Sequence, residues 1–415
     1  MPLLKQGSGA ETPGAAGSPS HPHRQVERAP EQSRAEWQMS FDLDDFPMPT
    51  GREEQWRFTP IDRLKSLLRD TPSGAHLAID TELPGEVSVD TITTATARDL
   101  GAPAPQDRAA ALAIAHVDRT DHPDSAGGVL HVQIPADSTP GEPVRVRLIG
   151  ANSERVWSQV LITVGAHAKA VVVLEHHGNV RLSQVVSTVV GDGAELALVS
   201  LQEWDDDTLH LSQHDLVVGR DATVRHVAVT LGGQIARINT NVTFAGPGGN
   251  AEAYGVYFAD AGQHLEHRLF VDHSEPKCRS KVEYRGALRG ETAHTIWVGD
   301  VLIRAAAEDT DTYEVNRNLV LSDGARADSV PNLEIETGQI VGAGHASTTG
   351  RFDDEQLFYL QARGIPEDEA RALVVRGFFA EIIGKIPVPE TQGHLVAEIE
   401  RELEHADVLA GGSSR

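Results

Sequence analysis

A Gly-x-x-Ala tetrapeptide recurs along the middle of this 415-residue chain, each time just ahead of a run of alternating apolar residues. It stands at Gly165–Ala168, Gly191–Ala194, Gly219–Ala222 and Gly248–Ala251, with two weaker copies at Gly290–Ala293 and Gly324–Ala327. The first three spacings are 26, 28 and 29 residues, and the last two stretch to 42 and 34. A period in the high twenties, with strands and tight glycine turns, points to a solenoid. One rung cannot bury its inner face alone, so neighbours must stack and share a core. Glycine is expected to supply the positive φ of each corner, and the small alanine lets stacked corners approach. The chain is therefore expected to be mainly β, with a right-handed parallel β-helix over residues 130–350. A β-sandwich and a propeller are the alternatives; propeller blades repeat at about 40 residues or more, against the early spacings. Gly-x-x-Ala is common in any Gly- and Ala-rich chain, and its fixed place ahead of each strand sets these copies apart.

The local patterns agree. Leu130-His-Val-Gln-Ile134, Val144-Arg-Val-Arg-Leu148 and Leu196-Ala-Leu-Val-Ser-Leu201 alternate with period two, which reads as strand. Long helical patterns are missing from this stretch, which argues against βαβ units. Residues 1–36 are rich in Gly, Pro, Ser, Ala and Glu and are expected to be a disordered tail. Residues 37–129 form an N-terminal region expected to be partly helical, with Ile61, Leu64, Lys65 and Leu68 at helical spacing behind Pro60. After Gly350 the pattern is helical again, and residues 351–410 are assigned to a C-terminal helical domain. Pro366-Glu-Asp-Glu369 opens one helix with acids in its first turn. Leu373, Val374, Val375, Phe378, Phe379, Ile382 and Ile383 then cover about half its circumference, wider than a one-sided surface helix needs. Leu395, Val396, Ile399 and Leu403 mark a last helix near residues 392–405.

Lys plus Arg is 36 against 61 Asp plus Glu, a net charge of −25. Such a surface repels phosphates, so nucleic acid and anionic membrane surfaces are set aside as partners. The single cysteine, Cys278, excludes an intramolecular disulfide and a four-thiolate zinc or iron–sulfur site within one chain. The start, MPLLKQGSGAETPG, does not read as a secretory signal, and no apolar run of about 18 residues is present. A cytoplasmic protein is expected.

Catalytic signatures are missing. Gly384-Lys385 is followed by Ile386, so no P-loop hydroxyl is placed for magnesium, and no H-E-x-x-H or G-x-S-x-G occurs. Asp205-Asp206-Asp207 reads as a turn and Asp353-Asp354-Glu355 as a helix start. His264, His267, His273 and Cys278 are close in sequence, but an extended strand turns His264 and His267 to opposite faces, so they are read as structural. His345 differs. It lies in Gly342-Ala-Gly-His-Ala346, among small residues at the junction of the last strands with the C-terminal helices. Small neighbours leave the imidazole accessible, and neutral imidazole ligates iron well. By chemistry alone a satisfied turn histidine would still be favoured.

An ordered set of motifs resembles the SufB/SufD family of scaffold subunits from the SUF iron–sulfur cluster assembly system. It comprises Glu53-Glu-Gln-Trp-Arg57, Tyr284-Arg-Gly286, Asn316-Arg-Asn-Leu-Val-Leu-Ser322, Asp328-Ser-Val-Pro-Asn-Leu-Glu334, Leu333-Glu-Ile-Glu336, Gly344-His345-Ala346 with Gly350, Phe358-Tyr-Leu-Gln-Ala-Arg-Gly-Ile365, Glu369-Ala-Arg371 and Gly377-Phe378. Within the family the pattern resembles the SufD branch. The resemblance implies a non-catalytic scaffold of a SufBCD complex, pairing with a SufB-like subunit through the β-helix and docking a SufC-like ATPase on the C-terminal helices. It implies a transient iron–sulfur cluster shared with the SufB-like partner, with His345 at the shared seam as cluster-assembly residue and metal donor. Family members often carry an acidic pair and a cysteine just before that histidine; this chain reads Glu336-Thr-Gly-Gln-Ile-Val-Gly-Ala-Gly344, which leaves His345 as sole donor there. Phe378, Phe379 and Ile382 are the expected ATPase dock or its support. Reduced-flavin binding is left open, and a homodimer of the isolated chain is allowed. The rival readings are a β-helix polysaccharide lyase or hydrolase and a purely structural β-solenoid.

Overall fold

The computed structural model describes residues 37–118, 127–352 and 354–411; the tail expected over residues 1–36 lies outside them. The elements run α1 (Ile61–Leu68), β1 (Ala78–Glu82), β2 (Ser88–Ile92), α2 (Thr94–Asp99), α3 (Arg108–Val117), β3 (Val129–Ile134), β4 (Val144–Val164), β5 (Lys169–Val190), β6 (Glu195–Trp204), β7 (Leu209–Val218), β8 (Thr223–Thr230), β9 (Ile235–Phe244), β10 (Asn250–Ala259), β11 (His264–His273), β12 (Arg279–Leu288), β13 (His294–Ile303), β14 (Thr310–Val320), β15 (Arg326–Ile335), β16 (Ile340–Arg351), α4 (Asp354–Ala362), α5 (Glu367–Ile383) and α6 (Pro389–Gly411).

The strands form a parallel β-solenoid. Their order is β15-β13-β11-β9-β7-β5-β6-β8-β10-β12-β14-β16. Even-numbered strands stack into one wall and odd-numbered strands into the other, while the long β5 runs through both. Every pairing from β3 onward is parallel, whereas β1 pairs antiparallel with β4 and β2 with β3. The lumen is filled by inward Val, Leu and Ala, among them Val172, Leu198, Val282 and Val301.

The corners revise the sequence reading. Ala168, Ala194 and Ala222 stack in one column, each with its N–H on the carbonyl of the glycine three residues before it. That column continues through Gly249, Cys278 and Thr310, so the copy at Gly248–Ala251 is out of phase by two residues. The copies at Gly290 and Gly324 belong to the opposite corner, ahead of β13 and β15. The leading glycine supplies the positive φ in three of the six copies, at Gly248, Gly290 (84°) and Gly324 (82°), but not at Gly165, Gly191 and Gly219 in the column before β5, β6 and β8. Along that column the positive φ is carried by His167 (60°), Gly193 (65°), Asp221 (55°), Gly248 (79°), Lys277 (62°) and Asp309 (59°). Gly165, Gly191 and Gly219 are required for closeness: a Cβ on Gly165 would sit 2.3 Å from the Ala136 nitrogen, and one on Gly219 2.7 Å from the Val190 carbonyl oxygen. Cys278 thus occupies a corner position that admits only small side chains.

Helices cover both walls. On the odd wall, α1 and Trp56 pack on Leu209, Leu211 and Ile235, and α3 packs on Trp157 and Val185. Helix α3 went unread in the sequence because it is buried almost all round and so shows no amphipathic stripe. The Glu53-Glu-Gln-Trp-Arg57 motif is an anchor. The Arg237 guanidinium lies 4.0 Å over the Trp56 ring, donates to the Gln55 carbonyl and pairs with the buried Asp107 at 2.7 Å. On the even wall, α5 and α6 bury Val375, Phe379, Ile382, Leu395 and Ile399 against Val199, Val227, Tyr254 and Val256. Among the described residues no helix is long and apolar enough to cross a membrane.

Candidate functional site at the last rung

The final rung differs from those before it. Strands β7, β9 and β11 are buried almost end to end, while β15 and β16 are exposed or half-buried throughout. Neither pairs with a further strand among the described residues. Apolar side chains remain at this end: Val341 is 70% exposed, Tyr313 49% and Ile335 45%.

His345 lies on β16. The register places Ala253, Val282, Glu314 and His345 in one column. Ala253 and Val282 belong to the lumen core, so His345 stands at the mouth of the lumen directly beyond Glu314. Its Nδ1 is 3.8 Å from Glu314 Oε1, and its side chain is 41% exposed against 2% for Glu314. Neither Glu314 oxygen has a hydrogen-bond partner. Burial, with repulsion from Asp300, pushes its carboxyl up to about 8. An accessible imidazole in this position can offer a lone pair to a borderline cation, with the Glu314 carboxyl next to it in the same column. Glu314 was not singled out in the sequence: it sits on a different strand, and only the stacking register brings it beneath His345.

Cys278 is fully buried, its Sγ 3.6 Å from the Gly246 and Pro276 carbonyl oxygens. Desolvation raises its pKa, which disfavours the thiolate that binds metal. His267 is buried between the Tyr257 and Tyr284 rings, His273 bonds Ser280, and His264 faces the other way toward Glu266. These four residues do not converge. Asp205 closes a turn with Thr208, and α4 begins at Asp354.

The C-terminal apolar arc needs a correction. Phe379 and Ile382 are entirely buried against the chain's own even wall, with Phe378 packed beside them. Phe379 and Ile382 cannot meet a partner directly, because the solenoid already occupies that face, so of dock and support only support is open to them; Phe378 is half-buried. Arg285 locks the same helix, donating to the Phe378 carbonyl at 2.7 Å and pairing with Glu381. The outward aromatics of this region are Phe358, 72% exposed, and Tyr359, 57% exposed, both on α4.

By architecture the molecule is a parallel β-solenoid flanked by helices, ending in an uncovered rung that carries one accessible imidazole. Residues 147–378 match the family described as SUF system FeS cluster assembly, SufBD core domain. An iron–sulfur cluster assembly SufBD family protein of Mycobacterium bovis is 51% identical over 374 residues, covering 88% of this chain and 92% of that one. Its counterpart from Mycobacterium leprae is 48% identical over 88% and 93%. The iron–sulfur cluster assembly protein SufD of Bacillus subtilis is 26% identical over 68% of this chain and 66% of its own. The chain belongs to the SufBD family of iron–sulfur cluster assembly proteins.

Proposed function

We propose that the chain is a SufD-like, non-catalytic scaffold subunit. Its last solenoid rung pairs with a SufB-like subunit, its C-terminal helices dock a SufC-like ATPase, and a nascent iron–sulfur cluster, the cargo, is built at the seam. The observation that carries this reading is His345 at the lumen mouth on the exposed β16, beside Val341 and above Glu314. Two features support it. The one thiol is buried at a corner, so thiolates must come from a neighbour. The chain has no P-loop, so nucleotide-derived work must also come from a partner. The relatives named SufD lend the branch assignment its support. In this reading His345 donates an imidazole to iron, and Phe379 and Ile382 hold the docking helices in place.

The test is co-expression with the SufB-like and SufC-like subunits of the same host, followed by anaerobic assay of iron and acid-labile sulfide. His345→Ala is expected to lower cluster yield while the complex still elutes intact. Unchanged yield would remove His345 from the mechanism, and failure of the three chains to co-purify would remove the scaffold reading.

A further inference from the structure

A second cluster of metal-ligating side chains lies far from His345, where α6 crosses the even wall. We propose that Glu203, His394 and Glu398, joined by His177, form a divalent-cation site of the Zn²⁺ class that staples α6 to the solenoid. Glu203 is on the outer face of β6. His394 and Glu398 are one turn apart on α6 and share a face. His394 Nε2 is 2.7 Å from Glu203 Oε1, and His394 Nδ1 is 3.6 Å from Glu398 Oε1. One ligand atom from each of the three lies within 4.8 Å of the others. His177, the register partner of Glu203 on β5, lies at the edge of the three, its Nδ1 4.0 Å from Glu203 Oε2 and its Nε2 4.0 Å from Glu175 Oε2.

The neighbouring carboxylates sharpen the assignment. Glu175 is gripped by Arg145 at 3.0 Å and Arg147 at 2.8 Å. Glu203 has imidazoles within pairing distance and, among the described residues, no arginine or lysine. Its side chain is 11% exposed and its Oε2 is buried without a hydrogen-bond partner. Glu398 also pairs with Arg401, at 2.5 Å and 2.6 Å, so an ion there would share that carboxylate with the guanidinium, and Glu203 is the ligand free of one. Two imidazoles and two carboxylates suit a borderline ion such as Zn²⁺. One ion takes a single nitrogen of His394, so zinc bonds of about 2.0–2.2 Å require one of the two carboxylates to turn toward that nitrogen, within a cluster whose ligand atoms already lie within 4.8 Å. The ion would join positions 191 residues apart, so its binding would add directly to the docking of α6.

The experiment uses the full chain, stripped with chelator, with Co²⁺ as the spectroscopic probe and Zn²⁺ in thermal unfolding. The site requires one equivalent of Co²⁺ with a tetrahedral-type visible band, and a Zn²⁺-dependent rise in Tm. Glu398→Gln and His394→Asn should each weaken Co²⁺ binding at least about tenfold, while His345→Ala leaves the band in place. No visible band, or one that survives both substitutions, would overturn the site. Glu398→Gln keeps shape and helix propensity, so the test does not depend on whether His394→Asn folds.

Discussion

At its first rungs the solenoid is sealed: β1 and β2 pair antiparallel onto β4 and β3, and α1 and α3 lie over the odd wall. At its last rung β15 and β16 meet no further strand among the described residues and leave Val341, Tyr313 and Ile335 exposed. Both ends are made from the same strand chemistry, yet only one spends its residues on closure. Exposed edges invite pairing with other chains, and single-chain proteins usually cover them. In the proposed reading the end left bare beside an accessible histidine is the interface, and the closed rungs carry the stability.

The largest effect expected from that contrast comes from glycine. A Cβ on Gly286 would lie 1.9 Å from the Tyr257 ring, while one on Gly350 meets nothing within 4 Å. Gly286→Ala should cost about 3 kcal/mol or more, and Gly350→Ala should stay within about 0.5 kcal/mol, both by urea unfolding. Equal costs would erase the distinction between closed and bare rungs.

Acid lability should follow the closed rungs as well. Burial lowers His176, His226 and His273 to about 4 and His267 to about 3. Their folded pKa values lie below the unfolded 6.5, so between about pH 6.5 and 4 the unfolded chain binds more protons and stability falls as pH falls. Asp215, pushed by burial up to about 6, and Glu314, up to about 8, contribute the opposite slope, but His210 and His214 are lowered by burial too and add to the histidine side. His267→Phe, which keeps an aromatic ring between the Tyr257 and Tyr284 rings, should lower the slope of stability against pH by about one proton, or 1.4 kcal/mol per pH unit. An unchanged slope would show that His267 titrates freely.

At the bare end, Val341→Asp should leave the unfolding midpoint almost unmoved yet weaken association with the SufB-like partner, read by size exclusion of the mixed subunits. A folding defect with intact pairing would reverse the contrast. The smallest effect is assigned to Cys278→Ala. Alanine already fills this corner column three times, so stability should change by about 1 kcal/mol at most, and cluster yield should not change. A lost cluster would return the thiol to the chemistry.

The sequence was legible where structure is local. Helix α1 spans Ile61–Leu68, as the spacing of its apolar residues indicates, and the strands at Val129, Val144 and Glu195 follow the period-two runs. His345 could be singled out because its small neighbours and flanking motifs are contiguous. The burial of Phe379 and Ile382 was not legible, since a broad apolar arc reads the same whether it faces a partner or its own chain.

Strand identity, the stacked-rung architecture and family membership were written in the amino-acid order, because side-chain alternation and turn chemistry act over a few residues. Tertiary structure alone decided that Glu314 lies under His345, that Gly165, Gly191 and Gly219 serve close approach while Gly248, Gly290 and Gly324 supply positive φ, and that His394 reaches Glu203. Those contacts depend on the register in which unequal rungs stack, a sum over the insertions between them that no short window of sequence contains.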